Sequence, residues 1–193
     1  MTKSSHVAVL VGSLRRDGYS HRLATALMRA APERLSCRVV GIGDLPLYND
    51  DLTDTPPVAW ETFRKSIKAA SALLVVTPEY NRSVPGALKN ALDVGSRPYG
   101  KNVFDGMPTA IVSHSVGSMG GFAANHAVRQ SCVTLNMPTL QQPEAYIPNV
   151  AGLFDASGAL TDEATGLFIV GFMHAFAQWV DINSVSDAER LAS

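Results

Sequence analysis

The run His6-Val7-Ala8-Val9-Leu10-Val11 ends abruptly in Gly12-Ser13-Leu14-Arg15, and this junction limits the chain to very few folds. An unbroken apolar segment with β-branched valines is the pattern of a strand buried on both faces, as in a parallel sheet. Beyond it, Ser20 introduces Leu23, Ala24, Leu27 and Met28, spaced for one face of a helix. A strand, a short loop carrying hydroxyls and Arg15, and a helix N-terminus together form an anion site. The helix dipole and its free N–H groups favour negative charge there, and the guanidinium adds a charged donor. The loop is neither Gly-x-Gly-x-x-Gly nor Gly-x-x-x-x-Gly-Lys-Ser, which disfavours a dinucleotide fingerprint and a Walker loop. A terminal phosphate monoester is the guest it suits. A tight turn with a capping serine is the plain alternative for Gly12-Ser13 taken alone.

Strand-like and helical segments alternate along the rest of the chain. Further strands are expected at 37–42, 72–77 and 108–113, with a short one near 138–141. Helices are expected after 57, with Val58, Phe63, Ile67 and Ala70 inward, at 85–93, at 122–134, and from 160 or 161 to 180. Five strands alternating with five helices imply an open parallel α/β sheet covered on both faces. The 193 residues, with 46% hydrophobic and 17% charged content, suit one soluble domain with a core over about 6–181 and a polar tail from Asn183 to Ser193. No internal repeat or linker argues for a second domain.

Several function classes fall away on composition. A net charge of -1 offers no nucleic-acid surface and no polybasic membrane contact. No apolar stretch is read as long enough to span a bilayer, and Met1 to Ser5 lead directly into the first strand without a signal-peptide pattern. Cys37 and Cys132 are far apart and form no metal or disulfide framework, so a reducing cytoplasm is the expected location. Cys132 reads as a buried small hydrophobe and Cys37 as a strand residue. His6, His21, His114, His126 and His174 lack metal-ligand spacing, so no metal is expected. Trp60 and Trp179 read as core or interface aromatics, and His126 and Arg129 as solvated or interface residues.

If the strands are ordered 2-1-3-4-5, the loops after the first, third and fourth share one rim beside the topological switch point. These are Gly12 to Arg15, Thr77-Pro78-Glu79-Tyr80-Asn81-Arg82-Ser83, and Ser113-His114-Ser115-Val116-Gly117-Ser118-Met119-Gly120-Gly121. A phosphate loop, an aromatic with an amide, and a loop rich in glycine and hydroxyls fit a planar heterocycle with a phosphate tail. The serines of the third loop also invite a hydrolase reading, but Gly-x-Ser-x-Gly is absent from Val116-Gly117-Ser118-Met119-Gly120. His114 reads as a loop histidine.

With these residues in that order, the chain resembles the NADPH-dependent FMN reductase family, and within it the bacterial quinone and chromate reductase branch. The matching strings are Gly-Ser-Leu-Arg at 12–15, Pro-Glu-Tyr-Asn at 78–81, Ser-Val-Pro-Gly-Ala-Leu-Lys-Asn-Ala-Leu-Asp at 83–93, and the serine-rich loop ending in Gly120-Gly121. The resemblance implies a flavodoxin-like three-layer sandwich. It also implies an FMN-dependent NAD(P)H oxidoreductase that passes hydride through FMN to quinones, flavins, azo compounds or chromate by ping-pong turnover. No side chain is then a catalytic acid or base; the chemistry lies at FMN N5.

The implied roles place Ser13, Arg15 and Ser20 on the FMN phosphate. Pro78, Glu79, Tyr80 and Asn81 would border the isoalloxazine, with Glu79 structural. Ser115, Ser118, Gly120 and Gly121 would approach its pyrimidine end, the glycines giving backbone N–H groups access. Arg82 is the candidate contact to an anionic acceptor or to NADPH. Partners implied are a small-molecule acceptor and a homodimer built on the third and fourth helices, paired into a tetramer. Gly18 and Ser20 depart from the Ser and Asn of many relatives, and Val94 from their Trp. A flavodoxin-type electron carrier and a flavin-binding regulatory protein are the competing readings.

Overall fold

Three apolar runs become the centre of a five-stranded sheet because each offers a buried side chain to both faces. The computed structural model describes residues 4–184. Its elements are β1 (Ser5–Val11), α1 (Tyr19–Arg29), β2 (Leu35–Val39), α2 (Val58–Lys68), β3 (Ala72–Pro78), α3 (Gly86–Gly95), β4 (Thr109–His114), α4 (Phe122–Thr134), β5 (Ala145–Ile147) and α5 (Glu163–Asn183). The strands pair in parallel in the order β2-β1-β3-β4-β5, the flavodoxin-like order expected. Alternate residues then serve alternate layers. Val7, Val9, Val11, Leu74, Val76 and Val112 pack with α1 and α5. Ala8, Leu10, Leu73, Val75 and Ile111 pack with α2, α3 and α4.

Four boundaries or orientations differ from the sequence reading. The second strand runs 35–39 rather than 37–42, since its pairing with β1 begins where Ser5 meets Leu35. The fifth strand is Ala145–Ile147, not 138–141. Pro138 and Leu140 do bond Thr109 at the start of β4 through Thr109 N–H and Leu140 N–H, both at 2.8 Å. Pro143, which lacks an N–H, follows, and the chain rejoins the sheet beside Val112–His114. Val58 is exposed rather than inward, because it opens α2 directly after Pro57 while Trp60, Phe63 and Ile67 turn to the core. The last helix starts at Glu163, where Asp162 Oδ1 accepts the Thr165 N–H at 2.7 Å and caps it.

Within the 21-residue α5 an 18-residue stretch has a mean hydropathy of 1.2, so the helix is, by length and composition, apolar enough to cross a membrane, contrary to the reading that no stretch is. Its Ile169, Phe172, Met173, Phe176, Ala177 and Val180 are packed against the sheet. Trp60 and Cys132 are core residues, as read from the sequence, while Trp179 is half-buried and donates its indole N–H to Pro138 O. Burial raises the Cys37 and Cys132 thiols to about 11, so both stay protonated at neutral pH. Residues 1–3 and 185–193, which include most of the polar tail, lie outside the described residues.

The packing of α5 yields a direct test. Phe176→Ala should lower the unfolding free energy by about 3–5 kcal/mol, read from urea denaturation. A loss under about 1 kcal/mol would show that α5 contributes little to this core.

Candidate functional site

Register brings the three loops together. Val11 pairs with Val76 and Val76 with Val112, so Gly12, Thr77 and Ser113 leave the sheet in one row, followed by Pro78 beside His114. The first loop is held down by Gly12 N–H donating to Val76 O at 2.8 Å. A Cβ on Gly12 would sit 2.7 Å from Thr77 Oγ1, so only glycine lets the loop pass β3 at this point. Ser13 is buried and its Oγ accepts the Arg15 N–H at 3.3 Å, while the Arg15 side chain lies exposed. Helix α1 follows with Gly18 as its N-cap, no capping side chain and no acidic residue in its first turn. Its first N–H groups thus keep their pull on a negative charge.

In the second loop, Tyr80 and Ser83 exchange both backbone hydrogen bonds at 3.0 Å, with Asn81 and Arg82 between them at φ of 50° and 63°. Positive φ at both central positions is the mark of a type I′ turn, in which Asn is favoured and Arg is not. The turn holds Tyr80 half out of the protein. Glu79 is turned away: its Oε2 accepts the Ala123 and Ala124 N–H groups at 2.9 and 3.3 Å, capping α4. Glu79 is thus structural, as the sequence suggests. Arg82 Nη1 lies 3.7 Å from Glu79 Oε1 and donates to Met119 Sδ at 3.3 Å, so it bridges the second loop to the third.

The third loop is fastened to β5. Ser115 N–H donates to Ile147 O, Val150 N–H to Ser115 O, and Asn149 N–H to Gly117 O. Ser115 Oγ donates to Gly117 O within the loop, and Ser118 is exposed. Gly120 and Gly121 have φ of 59° and 76°. A Cβ at Gly120 would lie 2.6 Å from Tyr146 C, and one at Gly121 2.9 Å from His114 O. Both glycines are therefore required by strand packing and a left-handed backbone, a different reason from the ligand access expected of them.

His114 is the residue that sequence reasoning misplaced. It closes β4 and is buried, with Nε2 2.7 Å from Ser20 Oγ. This pair joins the start of α1 to the end of β4, as Glu79 joins the second loop to α4 and Arg82 joins it to the third. Its signal was position: His114 directly follows five apolar or small strand residues and has no polar neighbour before Ser113. Arg129, expected to be solvated or interfacial, is half-buried and makes contacts within the chain. It donates through Nε to Asn125 Oδ1 at 2.9 Å and through Nη1 to Leu140 O at 3.1 Å, tying α4 to the stretch before β5. His126 is half-buried between Phe122 and Tyr146, with the Tyr146 hydroxyl 3.0 Å from its Nε2. Burial and Glu144 hold that phenol up at about 12. Among the described residues, no cluster of His, Cys, Asp or Glu can hold a metal ion. A groove of about 1050 Å³ between β2 and α2 contains no residue of the three loops.

Comparison with known proteins shows the family of the chain. Residues 5–152 match the family described as NADPH-dependent FMN reductase. The chain belongs to the NADPH-dependent FMN reductase family. It is 55% identical over 184 residues to a quinone reductase of Pseudomonas putida, covering 95% of this chain and 98% of that one. It is 45% identical over 174 residues to a 2-hydroxy-1,4-benzoquinone reductase of Burkholderia sp, covering 90% and 95%. Among solved structures it is similar to FerB, a flavoenzyme NAD(P)H:(acceptor) oxidoreductase of Paracoccus denitrificans, at 40% identity and a TM-score of 0.88, covering 94% and 100%. As a member of this flavin-using family, the chain has its three linked loops on the rim where α/β sheets bind ligands.

Burial lowers His114 from its ordinary 6.5 to about 4, so it is neutral in the folded protein at pH 7. Between those values the unfolded chain binds more protons than the folded one. The stability due to neutral His114 is therefore complete above about pH 6.5 and is lost as pH falls toward 4. Taking the parent from pH 7 to pH 4 should cost about 3 kcal/mol through this group, and His114→Gln should remove that part of the slope. Equal pH slopes for the two proteins, measured by denaturant titration, would refute the assignment.

Proposed function

We propose that this protein holds FMN on the rim formed by its three loops and uses it to transfer electrons from NAD(P)H to quinones. The observation that carries the reading is the N-terminus of α1, uncapped and free of acidic side chains, beside buried Ser13 and exposed Arg15. That donor set fits a phosphate monoester. Ser13, Arg15 and Ser20 would hold the phosphate. Pro78, Tyr80 and Asn81 would border the ring, and Ser115, Ser118, Gly120 and Gly121 its pyrimidine end, with Glu79 supporting the loops from behind. Bound FMN supplies hydride acceptance from the nicotinamide and two-electron delivery to the acceptor.

The chain's own part is to bind, orient and tune. Hydroxyl and N–H donors of the third loop would favour negative charge on the reduced ring, an electrostatic contribution that needs no acid or base side chain. The type I′ turn sets Tyr80 and Arg82 at the exposed side, where Arg82 would meet the NADPH phosphate or an anionic acceptor. A single open face serving donor and acceptor in turn gives ping-pong kinetics. Quinones are the acceptors supported by the two reductases that share 55% and 45% of aligned residues with this chain. Azo compounds and chromate would be further acceptors of the same face. We place the protein in the cytoplasm as one FMN-binding domain.

Anaerobic titration of the FMN-loaded protein with NADPH should bleach the flavin absorbance in a two-electron step, with colour restored by a quinone. A flavin that binds yet stays oxidised would leave an electron carrier or regulatory protein instead. The assembly we propose is a homodimer through α3 and α4, paired into a tetramer. It would cover Phe122 and Val133, apolar residues of α4 that stand exposed in the single chain. Sedimentation equilibrium should give two or four chains per particle, and a monomer would reject the assembly.

A further inference from the structure

The buried pair Ser20–His114 is not explained by the fold alone. His114 Nε2 lies 2.7 Å from Ser20 Oγ, and both residues are almost fully enclosed, at 4% and 1% exposure. The second ring nitrogen, Nδ1, is buried with no hydrogen-bond partner. Burial keeps the ring neutral, so it carries one proton, and that proton can sit on either nitrogen. On Nδ1 it would make a buried N–H with no acceptor, the rarer and costlier kind of orphan in folded proteins. On Nε2 it is donated to Ser20 Oγ and leaves only an unpaired acceptor at Nδ1. The second arrangement is favoured.

Its consequence falls on Ser20. A hydroxyl whose oxygen already accepts from His114 has its own proton free to donate, and no acceptor for it is found among the described residues. Ser20 is the second residue of α1, in the first turn of a helix that lacks a capping side chain. A free O–H at that place adds a donor to the free N–H groups around it.

We propose that His114 is a positioning residue: its Nε2–H donates to Ser20 and thereby commits the Ser20 hydroxyl as a donor to the phosphate monoester of the bound flavin. This rests on the reading of the first loop as the FMN phosphate site. It makes recognition of the phosphate depend on the end of β4. It also predicts that the two residues act as one unit, since Ser20→Ala removes the donor and a change at His114 removes the hydrogen bond that orients it.

The test compares FMN with riboflavin, which has the same ring and no phosphate. Full-length protein stripped of flavin is titrated with each, and binding is followed by quenching of flavin fluorescence. Ser20→Ala and His114→Leu should each raise the FMN dissociation constant about tenfold, the scale of one hydrogen bond to a charged group. The double variant should be no weaker than either single. Riboflavin binding should stay within about twofold of the parent throughout. His114→Gln, which keeps a donor near the Nε2 position, should return FMN binding to within about threefold of the parent.

Parental FMN affinity in His114→Leu would overturn the proposal. So would equal losses for FMN and riboflavin, which mean a general structural role, or additive losses in the double variant. A parent that binds riboflavin as tightly as FMN would overturn the phosphate reading of the first loop, and this proposal with it. A parent that prefers FMN, with a His114→Leu variant that prefers it equally, would sink the His114 role alone.

Discussion

Parallel pairing of β1, β3 and β4 is the constraint from which the site follows. Val11, Val76 and Val112 stand side by side in the sheet, all buried. Once they do, three loops distant in sequence leave the same edge within a residue of one another. None of the three is a binding surface by itself. The first offers a helix end, the second a turned-out tyrosine, the third a run fastened to β5. Their proximity is produced by hydrophobic pairing in the strands and has no cause within the loops themselves.

Polar contacts then lock the loops to each other at points where the sheet could not. Glu79 spends its carboxylate on two N–H groups at the start of α4, and Ser20 meets His114 beneath the start of α1. Each contact joins a helix end to the strand end across from it. The rim is stiffened from behind, which leaves Arg15, Tyr80, Asn81 and Ser118 facing outward. Placing buried polar groups under a site and exposed ones around it limits the rearrangement needed when a ligand arrives. At the rim Arg82 holds a left-handed backbone that costs a non-glycine residue about 1–2 kcal/mol, in a turn that presents Tyr80 and lets Arg82 reach Met119.

How far the sequence can be read depends on the range of the interaction that decides each feature. The strands at 72–77 and 108–113 and the helix at 122–134 were legible because apolar periodicity is a local signal, and there it matches the final burial. The strand near 138–141 was misplaced because Pro138 and Leu140 do bond Thr109, and only the partner strand reveals where the ladder resumes. Glu79 could be read as structural, but its partners could not be named, since Ala123 and Ala124 lie 44 and 45 residues away. By sequence His114 reads as a loop residue because nothing adjacent to it in the chain reveals Ser20.

By itself, the sequence determined the parallel α/β architecture, the three loops and the family, because these depend on burial patterns and on short strings whose chemistry is local. Tertiary structure alone decided that Gly120 and Gly121 are required by the backbone of β5 and β4, that Arg82 reaches Met119, and that Ser20 is paired with His114. Those outcomes depend on which surfaces meet in space. A hydrogen bond across 94 residues is set by the packing of helix on sheet, and no local pattern in the chain encodes it.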